Sequence, residues 1–352
     1  MKILILYTEL AGYTITCLKQ VKKDYPQVDL HVFRWPVNNE APFDFDFDGI
    51  NIYNKNEFDL VKLESKVNEI GPDCLIVSGW IDKEYTTIAK KYKKKIPVTL
   101  TLDNHWRGDL KQVLASKLSR FLVRDKFNKA WVPGEVQAKF ARKLGFREEN
   151  IFKGFYAADT TLFTKFGIQA KQTKENSFPK RFLYVGRYVE HKGIFDIWKA
   201  FIELQNEQPN EWELWSVGTG DQWDHRMLHD KIKHFGFVQP DQFQEIINET
   251  SIYLLPSHFE PWGVSLHEFA AAGYPAIVSD QVGSSEAFCL ENKNGHVFEG
   301  GNVQEIKDSM KKMMNLTQER FNEMADISRT LSLQITPEKW AKTLMKIANG
   351  TN

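Results

Sequence analysis

Short runs of apolar, often β-branched residues alternate with longer segments of helical periodicity from the first residue onward. This alternation is typical of β-α-β units and a parallel sheet. In the first half of the chain it predicts strands at Ile3–Tyr7, Leu30–Phe33, Cys74–Ser78, Val98–Leu102 and Lys129–Val132. The pattern then restarts and predicts strands at Arg181–Val185, Glu213–Val217, Lys233–Phe237, Ser251–Leu255 and Ala276–Ser279. The chain is therefore expected to be an α/β protein built in two halves.

The length of 352 residues suits two domains. Residues 167–180 are polar and contain Pro179, which favours a linker between a first domain, 1–166, and a second domain, 181–335. A final segment, 336–352, begins with Thr336 and Pro337, an N-cap residue followed by proline at the first helical position. This last helix is expected either to pack on its own domain or to cross back to the first.

Composition and charge exclude several classes of protein. Lys plus Arg equal Asp plus Glu at 46 each, so net charge gives no reason to expect a nucleic-acid partner. The three cysteines are far apart and form no C-x-x-C pair, which excludes a disulfide framework or zinc site and favours a reducing, cytoplasmic location. The N-terminus is typical of a buried strand rather than a signal peptide, and no apolar run is long enough for a membrane helix.

The most informative segment runs from Leu254 to Pro275 and predicts a strand, a loop and a helix over Val264–Ala272. The N-terminus of such a helix attracts phosphate through its unpaired N–H groups and its dipole. Glu260 lies in the loop, and Glu268 lies about one turn inside the helix. Carboxylates near a phosphate are useful when they accept hydrogen bonds from sugar hydroxyls. We therefore expect Glu268 to bind a ribose diol and Glu260 to bind a donor sugar.

These two glutamates match the E-x7-E motif of retaining glycosyltransferase family 4, and further blocks resemble that family in the same order. The blocks are Phe182–Gly193, Trp215–Gly220, His234–Val238, Val278–Gly283 and Asn294–Gly295. The resemblance covers residues 181–300. It implies the GT-B fold, with two facing Rossmann-like domains that have parallel sheets, the donor in the C-terminal domain and the acceptor mainly in the N-terminal one.

The resemblance also implies which residues bind a nucleotide-diphosphate sugar. Beside Glu268, the expected donor-binding residues of the second domain are Gly186, Val238, Trp262, Gly263, Val264 and Ser265. In the first domain, Gly12 follows the first strand. It either lets the backbone approach the diphosphate or simply forms a tight turn.

Arg187 and Lys192 lie between the end of a predicted strand and the next helix, where open α/β sheets bind ligands. A rigid positive clamp there stabilises the negative charge that develops on a diphosphate leaving group. With the helix N-terminus, the clamp can replace a metal, so no metal and no cofactor are expected. The alternative is a surface ion pair with Glu190. The run from Asp44 to Gly49 imitates a metal loop, but Lys55 occupies the twelfth position, where calcium loops need glutamate.

The first domain departs from the family at the fourth predicted strand. Many members carry T-x-H-D there, with the histidine close to the reacting sugar. The simplest register puts Asp103 in that place, whereas a two-residue shift of the loop puts His105 there. Either side chain can bond a sugar hydroxyl or stabilise positive charge on the anomeric carbon, and aspartate does the second better. The alternative is an Asx-type turn formed by Asp103 and Asn104.

Residues from Lys90 to Arg147 include 16 Lys or Arg and only 4 Asp or Glu. Within this range Leu110, Val113, Leu114, Leu118, Phe121 and Leu122 mark one predicted helix face. A basic amphipathic helix of this kind either lies on an anionic membrane surface or turns its apolar stripe to the core.

The expected function is that of a retaining hexosyltransferase, with a nucleotide-sugar donor and a glycan or lipid-linked acceptor, at the cytoplasmic face of a membrane in polysaccharide or lipid-linked glycan assembly. Two alternatives stay open. One is a GT-B enzyme of other chemistry, such as a nucleotide-sugar epimerase or a phosphorylase. The other is a catalytically silent scaffold that still binds a nucleotide sugar.

Overall fold

The computed structural model describes residues 1–36, 46–174 and 176–350, which form two compact units. Unit 1 comprises Met1–Ala157 and Ile335–Asn352, and unit 2 comprises Ala158–Gln334. The chain therefore passes into unit 2 once and returns to unit 1 near its C-terminus.

Unit 1 is built on a parallel sheet. Its strands are β1 (Lys2–Leu6), β2 (Asp29–Arg34), β3 (Asn51–Asn54), β4 (Cys74–Ser78), β5 (Val98–Thr101), β6 (Lys129–Val132) and β7 (Ile151–Lys153). Its helices before the crossing are α1 (Gly12–Asp24), α2 (Leu60–Ile70), α3 (Lys83–Tyr92), α4 (Leu110–Lys117) and α5 (Glu135–Lys143). Among the described residues the sheet has seven strands in the order β3-β2-β1-β4-β5-β6-β7.

Helices cover both faces of this sheet, which explains why its strands are apolar throughout rather than alternating. In β1, Leu4 and Leu6 pack into the core on one face, with Leu75 of β4. Ile3 and Ile5 pack into the core on the opposite face. Successive strand residues point to opposite faces, so each face has its own core.

Unit 2 repeats the design. Its strands are β8 (Arg181–Val185), β9 (Glu213–Val217), β10 (Ile232–His234), β11 (Ile252–Leu255), β12 (Ala276–Ser279) and β13 (Gly295–Phe298). Its helices are α6 (Thr160–Lys174), α7 (Ile194–Glu207), α8 (Gln244–Glu249), α9 (Val264–Ala271), α10 (Ser285–Phe288), α11 (Val303–Met314) and α12 (Gln318–Ser332). The six strands found in the described part of unit 2 are parallel, in the order β10-β9-β8-β11-β12-β13.

Three strands were not predicted, and all three lie at an edge of a sheet. They are β3, β7 and β13, each only three or four residues long. Edge strands are paired on one side only and need fewer apolar residues, so their sequences carry a weaker pattern. The predicted strand at Lys233–Phe237 is also displaced, because Gly236 has a positive φ of 72° and the strand ends before it.

The predicted linker at 167–180 is wrong, because α6 continues through Gly167 to Lys174. Most polar residues of α6 in this stretch lie on its solvent side, whereas Lys174 is buried, as are Phe163, Phe166 and Gly167. A Cβ at Gly167 would lie 2.4 Å from the carbonyl oxygen of Ala272. This glycine therefore permits close packing of α6 against the end of α9 rather than chain flexibility.

The last helix, α13 (Pro337–Ala348), belongs to unit 1, which is the second of the two positions expected for it. Its N-cap residue Thr336 accepts a hydrogen bond from the amide of Lys339. The indole N–H of Trp340 donates to the carbonyl of Phe155 at 2.6 Å, and its ring lies 4.7 Å from that of Trp131. The helix is thus a structural part of the core of unit 1.

The basic amphipathic segment of unit 1 consists of α4 and a π-helical turn at Arg120–Arg124. Its apolar residues are largely exposed, at 38–88% for Leu110, Leu114, Leu118, Phe121 and Leu122. The alternative of a core-facing apolar stripe is therefore wrong for these side chains. No helix in the described ranges is both long and apolar enough to cross a membrane.

Candidate active site

The order of strands in unit 2 reverses between β8 and β11, which are neighbours in the sheet. The loops that follow two such parallel strands leave the same edge of the sheet in opposite directions and form a crevice. In unit 2 these loops are residues 186–193 and 256–263. They carry Arg187, Lys192 and Glu260, which were predicted to act on the donor.

The first loop is fixed by a buried tyrosine below it. Tyr184 donates its hydroxyl hydrogen to the carbonyl of Arg187 at 2.9 Å. The loop ends at Gly193, whose φ of 64° lies in the left-handed region. A Cβ added at this glycine would lie 2.2 Å from the carbonyl oxygen of Pro256. Only glycine combines this conformation with this approach, so the two loops are in backbone contact at the start of α7.

The second loop is fastened by backbone hydrogen bonds to the segment that follows β12. The amide of Glu260 donates to the carbonyl of Gln281 at 3.2 Å, and the carbonyl of Glu260 accepts from the amide of Gly283 at 3.0 Å. The amide of Ser284 donates to the carbonyl of Trp262 at 2.9 Å. These bonds hold the entry to α9, where Gly263 is the N-cap with φ 90°.

An ion pair joins the two loops, from Nζ of Lys192 to a carboxylate oxygen of Glu260. Their side chains are mostly buried, with 16% and 13% exposed. Lys192 therefore pairs with the glutamate predicted to bind the donor sugar, and not with Glu190 as in the alternative. Arg187 lies in the same loop and is exposed. The arrangement brings a cation and a carboxylate together just before the N-terminus of α9.

Glu268 lies on α9 and is half-buried. Burial raises the pKa of its carboxyl to about 7, and the nearby Asp159 acts in the same direction. A carboxyl with this pKa changes charge near neutral pH, so hydrogen bonds from a ligand can decide whether it is ionised. Ser265, on the first turn, accepts a hydrogen bond from the hydroxyl of Tyr253 at 2.8 Å.

The other predicted donor-binding residues lie on the same edge of the sheet. The amide of Gly186 donates to the carbonyl of Val217 at 3.0 Å, so the loops after β8 and β9 are neighbours. Val238 follows β10 and is half-buried, as is Val264. Trp262 is buried, with 2% of its surface exposed.

Unit 1 has its own switch point, between β1 and β4. Gly12 begins α1 after β1, and a Cβ on it would meet no atom within 4 Å. Gly12 does not have a positive φ, so no tight turn requires glycine at this position. The open space beside Gly12 is compatible with a ligand that approaches the backbone.

Asp103 follows β5 and is half-buried. The hydroxyl of Tyr156 donates to its carboxylate at 3.0 Å, and the ring of Tyr13 packs edge-on against Tyr156 at 5.6 Å. Burial and the neighbouring Asp103 raise the pKa of Tyr156 well above its ordinary range, so it stays a hydrogen-bond donor. His105, by contrast, is 8% exposed, and burial, with the nearby Arg107, lowers its pKa.

Two residues of these sites were missed from the sequence. Tyr156 follows β7, an edge strand that was not predicted, so nothing placed it beside Asp103. Asp159 lies where the chain enters unit 2 and comes close to Glu268 only through packing of α6 on α9. Within the described ranges no three His, Cys, Asp or Glu side chains come together as a metal site. Asp44, in the run that imitates a metal loop, lies outside the described residues.

Comparison with protein families gives a match for residues 166–329, with the family described as "Glycosyl transferases group 1". The matched residues include every candidate donor-site residue of unit 2. Residues 166–329 are therefore similar to the glycosyl transferases group 1 family. The match begins inside α6 and ends inside α12, so it follows unit 2 rather than the boundary predicted at residue 181.

Curated relatives resemble this chain over part of their length. Glycogen synthase of Mycobacterium tuberculosis is 32% identical over 117 residues, which are 31% of this chain and 28% of that protein. A 2-deoxystreptamine N-acetyl-D-glucosaminyltransferase of Niallia circulans is 26% identical over 175 residues, 47% of this chain and 42% of that protein. Both alignments therefore span less than half of the relative.

Solved structures resemble the whole chain. Anabaena HepE, solved in complex with UDP, aligns with a TM-score of 0.76 and 14% sequence identity over 99% of this chain and 100% of that one. At this identity the likeness concerns the fold. The two parallel-sheet units thus form the two Rossmann-like domains of a GT-B fold, as predicted.

Proposed function

We propose that the protein is a retaining glycosyltransferase that moves a sugar from a nucleotide-diphosphate sugar to a glycan or lipid-linked acceptor. The observation that carries the proposal is the mostly buried Lys192–Glu260 pair at the switch point of unit 2. It offers a cation for a diphosphate and a carboxylate for sugar hydroxyls within one crevice. Support comes from HepE, which binds UDP, and from the similarity to a glycogen synthase.

In the proposed reaction, Arg187 and Lys192 stabilise the diphosphate as it leaves. Charge builds on the leaving oxygens while the glycosidic bond breaks, so preorganised cations act more strongly on the transition state than on the bound donor. Lys192 is held by Glu260 and needs little reorganisation. The exposed Arg187 offers a planar guanidinium that can contact two phosphate oxygens at once.

The N-terminus of α9 supplies further N–H groups to the diphosphate, from Gly263, Val264 and Ser265. Glu268 accepts hydrogen bonds from the ribose diol in its ionised form, and Glu260 accepts from the donor sugar. Gly186, Val238, Trp262 and Gly12 complete the proposed donor site. Because cations and helix N–H groups meet the phosphate charge, we propose that the reaction needs no metal ion.

On the acceptor side, we propose that Asp103 faces the reacting sugar. Its carboxylate already accepts a hydrogen bond from Tyr156, which keeps it oriented. An oriented carboxylate can bind a sugar hydroxyl or stabilise positive charge on the anomeric carbon. His105 is the alternative, and its lowered pKa favours the neutral ring.

The acceptor is proposed to be glycan or lipid-linked, at the cytoplasmic face of a membrane. The exposed apolar residues of α4 and the following turn support this context, since Leu114 and Phe121 are 58% and 70% exposed beside a strongly basic surface. Such a surface binds anionic lipid through both apolar burial and charge.

A panel of UDP-, GDP-, ADP- and TDP-sugars tests the proposal. The cognate donor at 100 times its dissociation constant should stabilise the chain by about 2.7 kcal/mol, measured as a thermal shift. The stabilising donor is then incubated with glycan acceptors, and the anomeric configuration of the product is read by NMR. Retention is expected, and EDTA should leave the rate unchanged.

Other outcomes would contradict the proposal. Inversion excludes the retaining mechanism, and a strict requirement for Mg²⁺ or Mn²⁺ excludes the metal-free one. Isomerisation of the sugar indicates an epimerase, and a need for inorganic phosphate indicates a phosphorylase. Donor binding without any turnover indicates a silent scaffold.

A further inference from the structure

His267 precedes Glu268 on α9, and its side chain has no exposed surface. Consecutive residues of a helix point about 100° apart, so His267 faces the interior while Glu268 stays half-buried. The imidazole ring stacks on Phe288, with ring centroids 4.2 Å apart and an angle of 9° between the planes. The helix proposed to bind ribose therefore carries a fixed histidine at the neighbouring position.

Both ring nitrogens of His267 make hydrogen bonds to backbone groups. The amide of Ala158 donates to Nδ1 at 3.2 Å, and Nε2 lies 2.9 Å from the carbonyl oxygen of Ser332. An amide can only donate and a carbonyl can only accept, so Nδ1 is unprotonated and Nε2 carries the hydrogen. The ring is thus held as one neutral tautomer.

These two partners have special positions along the chain. The chain enters unit 2 at Ala158 and leaves it at Gln334, two residues after Ser332. The imidazole thus connects α9 to the entering and the leaving segment at once. Neither segment contains a residue that is proposed to touch the donor.

A second contact acts on the entering segment. Asp159, the residue after Ala158, lies close enough to Glu268 to disfavour its ionised form. Asp159 also accepts a hydrogen bond from the amide of Leu162 at 2.9 Å, in the first turn of α6. Two consecutive residues of α9 therefore act on two consecutive residues of the entering segment, one by a hydrogen bond and one by charge.

We propose that His267 is a positioning residue that ties the donor-binding helix α9 to both segments through which the chain enters and leaves unit 2, so that an occupied donor site orders these segments. The inference rests on the proposed function, because it requires a nucleotide sugar at Glu268. A donor bound at Glu268 restrains α9, and the two hydrogen bonds of His267 pass this restraint on to Ala158 and Ser332. Coupling of this kind needs a physical connection between the ligand site and the segments, and the hydrogen bonds of His267 supply it.

This role of His267 predicts different effects on donor affinity and on turnover. Donor affinity depends on the loops of unit 2, whereas turnover also needs groups of unit 1 such as Asp103 under the proposed function. Removing the His267 bonds should therefore lower turnover more than donor affinity. A purely structural role in unit 2 would instead lower stability and leave the turnover of the folded protein unchanged.

Two variants of the full chain isolate the hydrogen bonds. In His267→Phe an aromatic ring still stacks on Phe288, but both bonds are lost. His267→Gln restores one acceptor and one donor. Thr250→Val is the matched control, because Thr250 is fully buried in unit 2 and its hydroxyl donates to the carbonyl of Ile246 at 2.7 Å.

The main measurement is hydrogen exchange by mass spectrometry with and without saturating UDP, with the release of UDP from UDP-glucose as the turnover assay. In the wild type, UDP should slow exchange about tenfold in peptides that cover 158–163 and 328–335. In His267→Phe this protection should disappear and turnover should fall about tenfold, while UDP affinity stays within about threefold. His267→Gln should recover most of both effects, and Thr250→Val should keep both despite a lower melting temperature.

The inference fails if wild-type protein binds UDP without slowing exchange in these peptides, a result that needs no variant to fold. It also fails if His267→Phe keeps wild-type turnover, or if it loses UDP affinity and turnover in equal proportion. If the wild type binds none of UDP, GDP, ADP or TDP, the proposed function is itself wrong and this inference falls with it.

Discussion

The edges of the two sheets where the strands end are built in different ways. In unit 2 the loops are fixed by backbone contacts, such as the approach of Gly193 to Pro256, and by the mostly buried Lys192–Glu260 pair. In unit 1 the corresponding edge has open space at Gly12. Its Asp103 is held by a hydrogen bond from the side chain of Tyr156.

This difference indicates at which of the two edges side chains can be replaced without disturbing the backbone. The close backbone approach at Gly193 leaves no room for a side chain at that position, whereas a half-buried side chain such as Asp103 can be replaced by another. The contrast suits the proposed roles, with constant diphosphate chemistry at the edge of unit 2 and a variable acceptor at the edge of unit 1. Substitutions at one edge or the other can therefore test the comparison.

The largest effect is expected for Lys192→Ala, which should lower turnover about 100- to 1000-fold because it removes a cation from the departing diphosphate. The dissociation constant for UDP should rise much less. Steady-state kinetics and calorimetric titration measure the two quantities. Lys199→Ala, an exposed lysine on α7, is the control and should match the wild type. Equal losses of affinity and turnover would show that Lys192 binds the donor without favouring the transition state.

Substitutions of one glycine at each edge test how tightly the backbone is packed there. Gly193→Ala should lower the free energy of unfolding by about 2–3 kcal/mol, because it adds left-handed strain and a clash with the Pro256 carbonyl. Gly12→Ala should not lower stability, because the position suits alanine, and it should lower turnover if the backbone there approaches the diphosphate. Urea unfolding and kinetics decide the matter. A destabilised Gly12→Ala would remove the contrast between the edges.

Glu268 gives a pH test with a defined direction. Its folded-state pKa is raised from 4.5 to about 7, so the folded chain holds a proton that the unfolded chain releases in this range. The resulting stability, about 3 kcal/mol, is complete below the unfolded pKa and is lost as pH rises through about 7. Urea unfolding of wild type and Glu268→Gln across this range should show the loss only in the wild type.

Donor affinity should change in the opposite direction, since ribose hydroxyls bind the ionised carboxylate. The affinity for UDP-glucose, whose diphosphate is esterified at both ends, should therefore rise with pH through about 7. In Glu268→Gln it should be about tenfold weaker at high pH and independent of pH. Parallel pH curves for the two proteins would exclude Glu268 from ribose binding.

At the edge of unit 1, Asp103→Asn should lower turnover at least about tenfold, because it removes the charge but keeps the hydrogen bond from Tyr156. His105→Ala should have a smaller effect. Circular dichroism verifies that both variants fold, and kinetics ranks them. A larger loss in His105→Ala would show that the histidine, and not Asp103, has the role found in the resembling family.

The smallest effect concerns the exposed apolar surface of unit 1. The protein should bind vesicles of anionic lipid, with a contribution of about 1 kcal/mol per basic residue near the surface, and binding should weaken as salt rises. Phe121→Ser should weaken sedimentation with vesicles without affecting stability, because Phe121 is 70% exposed. Equal sedimentation with neutral and anionic vesicles would contradict a charged contact.

Much of this organisation could be predicted locally. The strands β4, β6, β8, β9 and β12 have the bounds that were predicted, because central parallel strands are continuous apolar runs. The loop and helix around Glu260 and Glu268 were also predicted, since glycine and helix-start residues mark them. The linker was wrong, because the polar face of α6 resembles a linker when its packing partner is unknown.

The α/β class, the two halves and the chain position of the loops that carry Arg187, Lys192 and Glu260 could be inferred from the amino-acid order. These features follow from local propensity and from the spacing of residues along the chain. Three-dimensional packing was needed to show that α13 returns to unit 1, that Lys192 pairs with Glu260 and that Tyr156 orients Asp103. It was also needed to show that Asp159 acts on Glu268 and that His267 bonds both segments at the limits of unit 2. Each of these contacts joins residues that are far apart in the chain and come together only when helices and strands pack. The charge and hydrogen bonding of a buried carboxyl or imidazole also depend on all of its neighbours at once.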